Sequence, residues 1–92
     1  MKQAVLKITG RVQGVFFRSS AREEAVALNL TGHARNMPDG TVEVLVQGAE
    51  EDIKKFIDWC KEGSPSAEVA NVEIDWQPIS GSSQNLQDFS TF

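Results

Sequence analysis

The chain has 92 residues and a formal net charge of −4, with 40% hydrophobic and 24% charged residues, as in an ordinary small globular domain. This acidic balance argues against a general binder of nucleic acid or anionic membranes, and no apolar stretch approaches the ~20 residues that span a bilayer. The lone Cys60 cannot form a disulfide within the chain, and residues 1–10 lack the features of a signal peptide. We therefore expect one domain over residues 1–92, a cytoplasmic location and a monomer.

The chain begins with a predicted strand and a predicted helix. Residues 4–9 form a short apolar run that ends at Gly10, which is typical of a buried strand. Apolar residues then recur at helical spacing over residues 17–28. Ser20, with Glu23 three residues later, predicts a capping box, so the helix should start within a residue or two of position 18.

A hairpin is predicted in the middle of the chain. Residues 31–37 and 41–47 are both strand-like, and valines at alternate positions of the second run give it one buried face. Pro38-Asp39-Gly40 separates the two runs and supplies turn chemistry. Since the separation is short, we expect the two strands to pair directly with each other.

A second helix and further strands are predicted in the second half of the chain. Apolar residues at i, i+3, i+4 and i+7 form a core-facing helical stripe: Ile53, Phe56, Ile57 and Cys60. Alternate apolar residues over 72–76 indicate a strand, and Val69, out of phase with them, indicates a bulge or a later start. A polar loop over residues 78–85 then precedes a short edge strand through Phe89.

The order strand, helix, strand, strand, helix, strand predicts an α+β fold, the ferredoxin-like βαββαβ sandwich. In this arrangement two helices pack on one face of an antiparallel sheet, here with a short edge strand added at the C-terminus. Because the architecture hosts many unrelated functions, the function has to be inferred from particular residues.

Cations and glycines gather in residues 10–18, GRVQGVFFR, between the first strand and the first helix. Gly10 and Gly14 would let the backbone approach an anion, on which amides of the turn and of the helix N-terminus could converge. Arg18 would add a planar guanidinium that can hold two phosphoryl oxygens. On spacing alone, the glycines could instead only turn the chain, with Arg11 and Arg18 solvated. The lysine and hydroxyl of a P-loop are missing, so nucleotide hydrolysis is not expected.

Two stretches resemble the signatures of the acylphosphatase family. Residues 10–18 match its loop signature throughout, and residues 36–40, followed by Val42 and Gly48, resemble its second signature at the right offset from the first. His33 departs from the pattern, because the family usually has a bulky apolar residue there. The resemblance implies hydrolysis of the carboxyl–phosphate mixed anhydride of small acyl phosphates, which gives a carboxylate and inorganic phosphate.

The resemblance also implies a role for each site residue. Arg18 would bind the phosphoryl group, and Asn36 would position the attacking water. Backbone amides of the loop would be further phosphate donors, namely those of Gln13, Gly14, Val15, Phe16 and Phe17. We expect in-line attack by water without a metal, a cofactor or a covalent enzyme intermediate, and phosphate or sulfate could occupy the same site.

Two other functions are less well supported by the sequence. An RNA-binding module of the RRM type shares the element order but stacks bases on strand aromatics, and residues 4–9 and 41–47 contain none. A non-catalytic module that binds phosphate or acyl phosphates, like the acylphosphatase-like segments of larger carbamoyl-transfer proteins, is the remaining alternative. Turnover of a small acyl phosphate without a partner protein would distinguish the enzyme from that module.

Four other residues that could carry chemistry are given structural roles. The single histidine, His33, is a poor metal site, and Cys60 lies in a helix stripe rather than beside a catalytic partner. Asp39 is expected to serve its turn, because a carboxylate would repel a phosphate. Arg11 is expected on the outer side of the loop.

Overall fold

The structure of the protein is a computed structural model, which describes residues 1–78 and 88–91. The predicted polar loop, apart from Pro78, lies outside these residues. Every predicted helix and strand is present: β1 (Lys2–Arg11), α1 (Phe17–Ala27), β2 (Thr31–Asn36), β3 (Val42–Gly48), α2 (Glu50–Glu62), β4 (Glu68–Gln77) and β5 (Phe89–Thr91). Neither helix in this part of the chain has the length and apolar character needed to cross a membrane.

The five strands form one sheet in the order β4-β1-β3-β2-β5. Neighbouring strands are antiparallel except for β5, which pairs in parallel with β2. The predicted α+β ferredoxin-like fold is therefore confirmed, and the C-terminal strand makes its sheet mixed. Because β1 and β2 are both antiparallel to β3, their C-terminal ends lie at the same end of the sheet.

The core lies between the sheet and the two helices, which pack on one sheet face. Strand residues that face the helices are fully buried, as Leu6 and Ile8 of β1 illustrate. The predicted stripe of α2 is also buried: Ile53, Phe56, Ile57 and Cys60. The ring of Trp59 lies 6.1 Å from that of Phe56 and 5.4 Å from that of Phe17, measured between centroids. Phe17 thus anchors the first residue of α1 in the core.

Helix α1 starts where the sequence predicts, but the predicted capping box is wrong. The residue preceding the helix is Phe16, which has a left-handed backbone (φ 62°, ψ 21°) and makes no side-chain cap bond. Ser20 lies inside the helix, and its amide donates to the carbonyl oxygen of Phe16 at 3.1 Å. Since that amide belongs to the first helical turn, Ser20 cannot stand outside the helix as a cap.

The predicted bulge in β4 is confirmed, and it explains why residue 10 is a glycine. Thr9 pairs with Asn71 while Gly10 pairs with Val69, so Ala70 is the extra residue. Gly10 has a φ of 127°, and a Cβ atom there would collide with the β4 backbone. Gly10 therefore allows the two strands to approach at the bulge, rather than an anion to approach the loop.

Candidate active site

The segment between β1 and α1, residues 12–16, is here named the glycine loop. Gly14 (φ 72°) and Phe16 (φ 62°) both have left-handed backbones. A Cβ atom on Gly14 would meet nothing within 4 Å, so this backbone faces open space. Turns that include left-handed residues can bring successive N–H groups together into a concave anion site. Gly14 and Phe16 give the loop two such left-handed residues.

A depression of about 260 Å³ lies where the glycine loop meets the start of α1. Its size suits a small ligand better than a large cofactor. The residues that line it come from the loop, the first turn of α1 and the end of β5: Val12, Gly14, Phe16, Phe17, Arg18, Ser19 and Thr91. Four of the predicted site residues, Gly14, Phe16, Phe17 and Arg18, thus share one depression.

The charge of Arg18 is available to a ligand in this depression. Arg18 is the second residue of α1, and its side chain is partly buried. Its guanidinium makes no ion pair with a carboxylate among residues 1–78 and 88–91. The first turn of α1 contains no acidic residue, so the positive end of the helix dipole adds to this charge. An anion in the depression would meet both.

Asn36 lies beside the depression rather than in its lining. It is the last residue of β2 and is exposed. Val42 pairs with Asn36 on one side and with Ile8 on the other, so the three residues form a row across the sheet. Directly paired residues project from the same face, which places Asn36 on the helix side. Asn36 is therefore at the end and on the face of the sheet where β1 leads into the glycine loop.

The other two predicted phosphate donors, Gln13 and Val15, do not line the depression either. The Gln13 side chain donates through Nε2 to the carbonyl oxygens of Met37 and Thr41, at 2.9 Å each. The carbonyl oxygen of Val15 accepts a hydrogen bond of 2.8 Å from the buried Ser64 hydroxyl. These bonds hold the glycine loop from two sides.

Several contributors to this region are missed by the sequence patterns. Ser64 lies in a segment, Ser64-Pro65-Ser66, that signals only a break after α2. Thr91 lines the depression from β5, and Arg22 holds that strand by donating from Nε to the carbonyl oxygen of Phe89 at 3.0 Å. Thr91 could have been found from its spacing, because residues two apart on a strand share a face and Phe89 is the apolar residue of β5. No local signal identifies Ser64 or Arg22.

The structural role predicted for Asp39 is confirmed. Its Oδ1 accepts hydrogen bonds from Thr41, at 2.6 Å from Oγ1 and 3.1 Å from the backbone amide. The Thr41 hydroxyl, followed by the Thr41 amide, lowers the pKa of the Asp39 carboxyl. Lys7 also approaches this carboxyl at 3.7 Å. Asp39 is therefore an ionised turn residue with local partners.

The remaining polar candidates lie away from the depression. Arg11 is exposed at the end of β1, opposite Glu68. His33 is on the sheet face that the helices leave uncovered; its pKa is lowered, first by partial burial and then by Arg35. Cys60 is fully buried, and burial raises the pKa of its thiol. Among the residues described, no three His, Cys, Asp or Glu side chains are grouped so as to hold a metal ion.

These features define a class of protein: a ferredoxin-like α+β domain with a glycine loop and, at a helix N-terminus, an arginine without a carboxylate partner among residues 1–78 and 88–91. The acylphosphatase family model matches residues 4–91. The chain therefore belongs to the acylphosphatase family, and its activity is that of a hydrolase, an acylphosphatase. The resemblance carried by residues 10–18 and 36–40 is confirmed.

Individual relatives agree with this family over most of the chain. The chain is 47% identical over 79 residues to the acylphosphatase of Pelotomaculum thermopropionicum, covering 86% of each protein. It is 43% identical over 90 residues to that of Pyrobaculum islandicum, covering 97% of this chain and 95% of the relative. The crystal structure of acylphosphatase from Bacillus subtilis matches with a TM-score of 0.92 at 35% identity, covering 100% of this chain and 99% of the other.

A larger protein contains a similar segment. Full-length HypF, in a phosphate- and nucleotide-bound form, matches with a TM-score of 0.85 at 28% identity. The match covers 99% of this chain but only 12% of HypF. The same fold therefore occurs both in small acylphosphatases and as a minor part of a longer chain.

Proposed function

We propose that the depression at the start of α1 is the active site, where the mixed anhydride of small acyl phosphates is hydrolysed to a carboxylate and inorganic phosphate. One observation carries this assignment: Arg18 lines the depression at a helix N-terminus, without a carboxylate partner in the described part of the chain. A phosphoryl group would supply the negative charge that complements it.

The phosphoryl group is held by Arg18 and by backbone amides of the glycine loop and of the first residue of α1. The guanidinium can donate two parallel hydrogen bonds to two phosphoryl oxygens. The amides assigned to the same group are those of Gln13, Gly14, Val15, Phe16 and Phe17. The small size of the depression and the charge of Arg18 support phosphate or sulfate as an occupant.

Asn36 orients the attacking water. The water oxygen attacks phosphorus in line with the P–O bond to the acyl group, and that bond breaks with its electron pair on the departing carboxylate. A carboxylate leaves readily, so no general acid is required. The proton of the water passes to a phosphoryl oxygen, because the Asn36 amide cannot take it. Arg18 and the amides stabilise the charge on the equatorial oxygens, so the reaction needs no phosphorylated enzyme and no metal.

The enzyme is further assigned to the cytoplasm as a monomer. The single cysteine supports the cytoplasmic assignment, because the chain cannot form an internal disulfide. The burial of Cys60 supports the monomer, because the thiol is not placed to cross-link folded chains.

Hydrolysis of benzoyl phosphate, followed by ultraviolet absorbance in the presence of a chelator, tests the site. Arg18→Ala and Asn36→Ala are each expected to lose at least ~100-fold in rate, the scale of losing a transition-state donor or a positioning group. Arg18→Ala should also weaken phosphate inhibition, whereas Asn36→Ala should mainly lower kcat. Arg11→Ala removes an exposed arginine outside the depression and serves as the matched control, with unchanged activity.

Three results would contradict the proposal in different ways. A wild type that binds phosphate through Arg18 but does not turn over would indicate a binding module. Trapping of a phosphorylated enzyme would exclude direct attack by water. Loss of activity in the chelator would assign charge stabilisation to a metal instead of to Arg18.

A further inference from the structure

The side chain of Gln13 connects the glycine loop to the turn between β2 and β3. Its Nε2 donates to the carbonyl oxygens of Met37 and Thr41, at 2.9 Å each. These bonds span 24 and 28 residues of sequence, so they are tertiary contacts rather than local turn chemistry. Met37 directly follows Asn36, the residue assigned to the attacking water. Gln13 therefore reaches the chain one residue beyond the end of β2.

The turn that Gln13 contacts is internally braced. The Met37 amide donates to the Thr41 carbonyl at 2.8 Å, and the Gly40 amide donates to the Met37 carbonyl at 3.1 Å. The Asp39 carboxylate accepts from the amide and the hydroxyl of Thr41. These bonds fix the shape of the turn, but none of them reaches the glycine loop. Of these hydrogen bonds, the pair from Gln13 connects the turn to the glycine loop.

We propose that Gln13 is a positioning residue, whose paired hydrogen bonds hold the end of β2, with Asn36, at a fixed distance from the glycine loop and Arg18. This role rests on the proposed function, in which the loop binds the phosphoryl group and Asn36 orients the water. In-line attack requires the water oxygen to lie about 3–3.5 Å from phosphorus and opposite the leaving oxygen. Because the two halves of the site come from different elements, a contact between them controls that alignment.

Ser64 provides an internal comparison on the other side of the loop. Its hydroxyl donates to the Val15 carbonyl at 2.8 Å, and both residues are buried. Ser64 follows Gly63 at the end of α2 and bonds to the loop, not to the β2–β3 turn. This bond can support the shape of the loop without fixing the position of Asn36. The two contacts therefore predict different kinetic behaviour.

The first test compares Gln13→Met, which keeps the length of the side chain without its donors, with the wild type. We expect kcat on benzoyl phosphate to fall by about 10- to 100-fold, as when reacting groups are misplaced by an ångström or less. The inhibition constant of inorganic phosphate should rise by less than about threefold, because Arg18 and the loop amides remain. Gln13→Asn keeps the donors on a shorter side chain and should lose less. Far-ultraviolet circular dichroism and the Tm establish that each variant is folded.

A double-mutant cycle then asks whether Gln13 acts through Asn36. In an Asn36→Ala background, Gln13→Met should lower kcat by less than about threefold, since no oriented water remains to misplace. Ser64→Ala, the control, should have the same effect in both backgrounds. A full loss from Gln13→Met in the Asn36→Ala background would overturn the positioning role. So would a rise in the phosphate inhibition constant equal to the loss in kcat, or the same non-additivity with Ser64→Ala.

Failure of this role can be told apart from failure of the proposed function. If Asn36→Ala alone retains full activity, the assignment of the water to Asn36 is wrong, and the positioning role fails with it. If Asn36→Ala is impaired but the two losses multiply, only the role of Gln13 is wrong.

Discussion

The two helices of this protein begin in opposite ways. The first turn of α2 contains three carboxylates, from Glu50, Glu51 and Asp52, which offset the positive end of the α2 dipole. The first turn of α1 contains none, and α1 instead carries Arg18 beside the left-handed Phe16. A depression lies at the start of α1. A helix start without first-turn carboxylates keeps its positive end available, so the start of α1 is suited to an external anion.

The end of α2 also supports the start of α1. Helix α2 stops at Gly63, and the next residue, Ser64, donates to the Val15 carbonyl in the glycine loop. A Cβ atom on Gly63 would lie 3.1 Å from the Phe17 ring, so the two helix ends are closely packed. Helix α2, whose first turn carries carboxylates, therefore supports the start of α1, whose first turn carries none.

Among changes that test the contrast between the two helix starts, the largest effect is expected from adding a carboxylate to the first turn of α1, which has none. Ser19 is exposed, lies in the first turn of α1 and lines the depression. Ser19→Glu places a negative charge beside the phosphoryl site, where repulsion at a few ångströms should raise KM for benzoyl phosphate by about 10-fold or more. The Tm should stay the same or rise slightly, because the new charge favours the helix dipole.

Ser19→Gln has nearly the same shape without the charge and is the matched control for Ser19→Glu. Its KM should change by much less, and the difference between the two variants should shrink as salt is added, since exposed charges are screened. Equal losses in both variants would mean that bulk, rather than charge, matters at the start of α1.

The second prediction concerns the hydrogen bond by which the residue after the end of α2, Ser64, supports the glycine loop before α1. Ser64→Ala leaves the Val15 carbonyl buried without this donor, so the free energy of unfolding should fall by about 1–2 kcal/mol. Denaturant unfolding measures the change. Ser66→Ala, at an exposed position in the same segment, should stay within about 0.5 kcal/mol of the wild type. A Ser64→Ala protein as stable as Ser66→Ala would show that the glycine loop does not depend on the end of α2.

The third prediction concerns the contribution of the first-turn carboxylates of α2 to stability. Glu51→Gln removes one exposed carboxylate from the first turn, which should lower the free energy of unfolding by about 0.5 kcal/mol. The kcat/KM for benzoyl phosphate should not change, because Glu51 does not line the depression at the start of α1. Parallel denaturation and kinetic measurements check both expectations. Lower activity without lower stability would remove the distinction between the two helix starts.

The sequence predicts the elements of this fold well because each depends on a local pattern. The alternating valines of β3 and the apolar stripe of α2 are buried as their periodicities indicate. The start of α1 is predicted at the right place for the wrong reason, since the capping box at Ser20 does not exist and Phe16 enters the helix with a left-handed backbone. A non-glycine residue in that conformation has no reliable sequence signal.

The candidate site is predicted less completely, because it combines distant segments. The motif identifies Arg18 and Gly14, which line the depression, whereas the position of Asn36 depends on the register of three strands. The bonds from Gln13 and Ser64 link residues 24 to 49 positions apart in the chain. Periodicity and turn chemistry describe neighbours in sequence, so they carry no information on such contacts.

The smallest effect is a pH dependence of stability that Glu50 contributes at the start of α2. A hydrogen bond from Lys54, followed by the charges of Lys54 and Lys2, lowers the pKa of Glu50 below its ordinary value of 4.5. The unfolded chain therefore binds this proton more readily, so the contribution of Glu50 to stability is present above pH 4.5 and is lost as the pH falls through the folded-state pKa.

Glu50→Gln removes this titration, so the Tm of the variant should fall less steeply than that of the wild type as the pH is lowered below 4.5. Some acid sensitivity should remain, because the pKa of Asp39 is also lowered in the folded state. Asp39→Asn measures that share independently, since Asp39 lies in the β2–β3 turn rather than at a helix start. If Glu50→Gln follows the wild-type curve, Lys54 and Lys2 do not stabilise the ionised form of Glu50 in the folded protein, and the charge contrast between the two helix starts would rest on the other first-turn carboxylates of α2 and on Arg18.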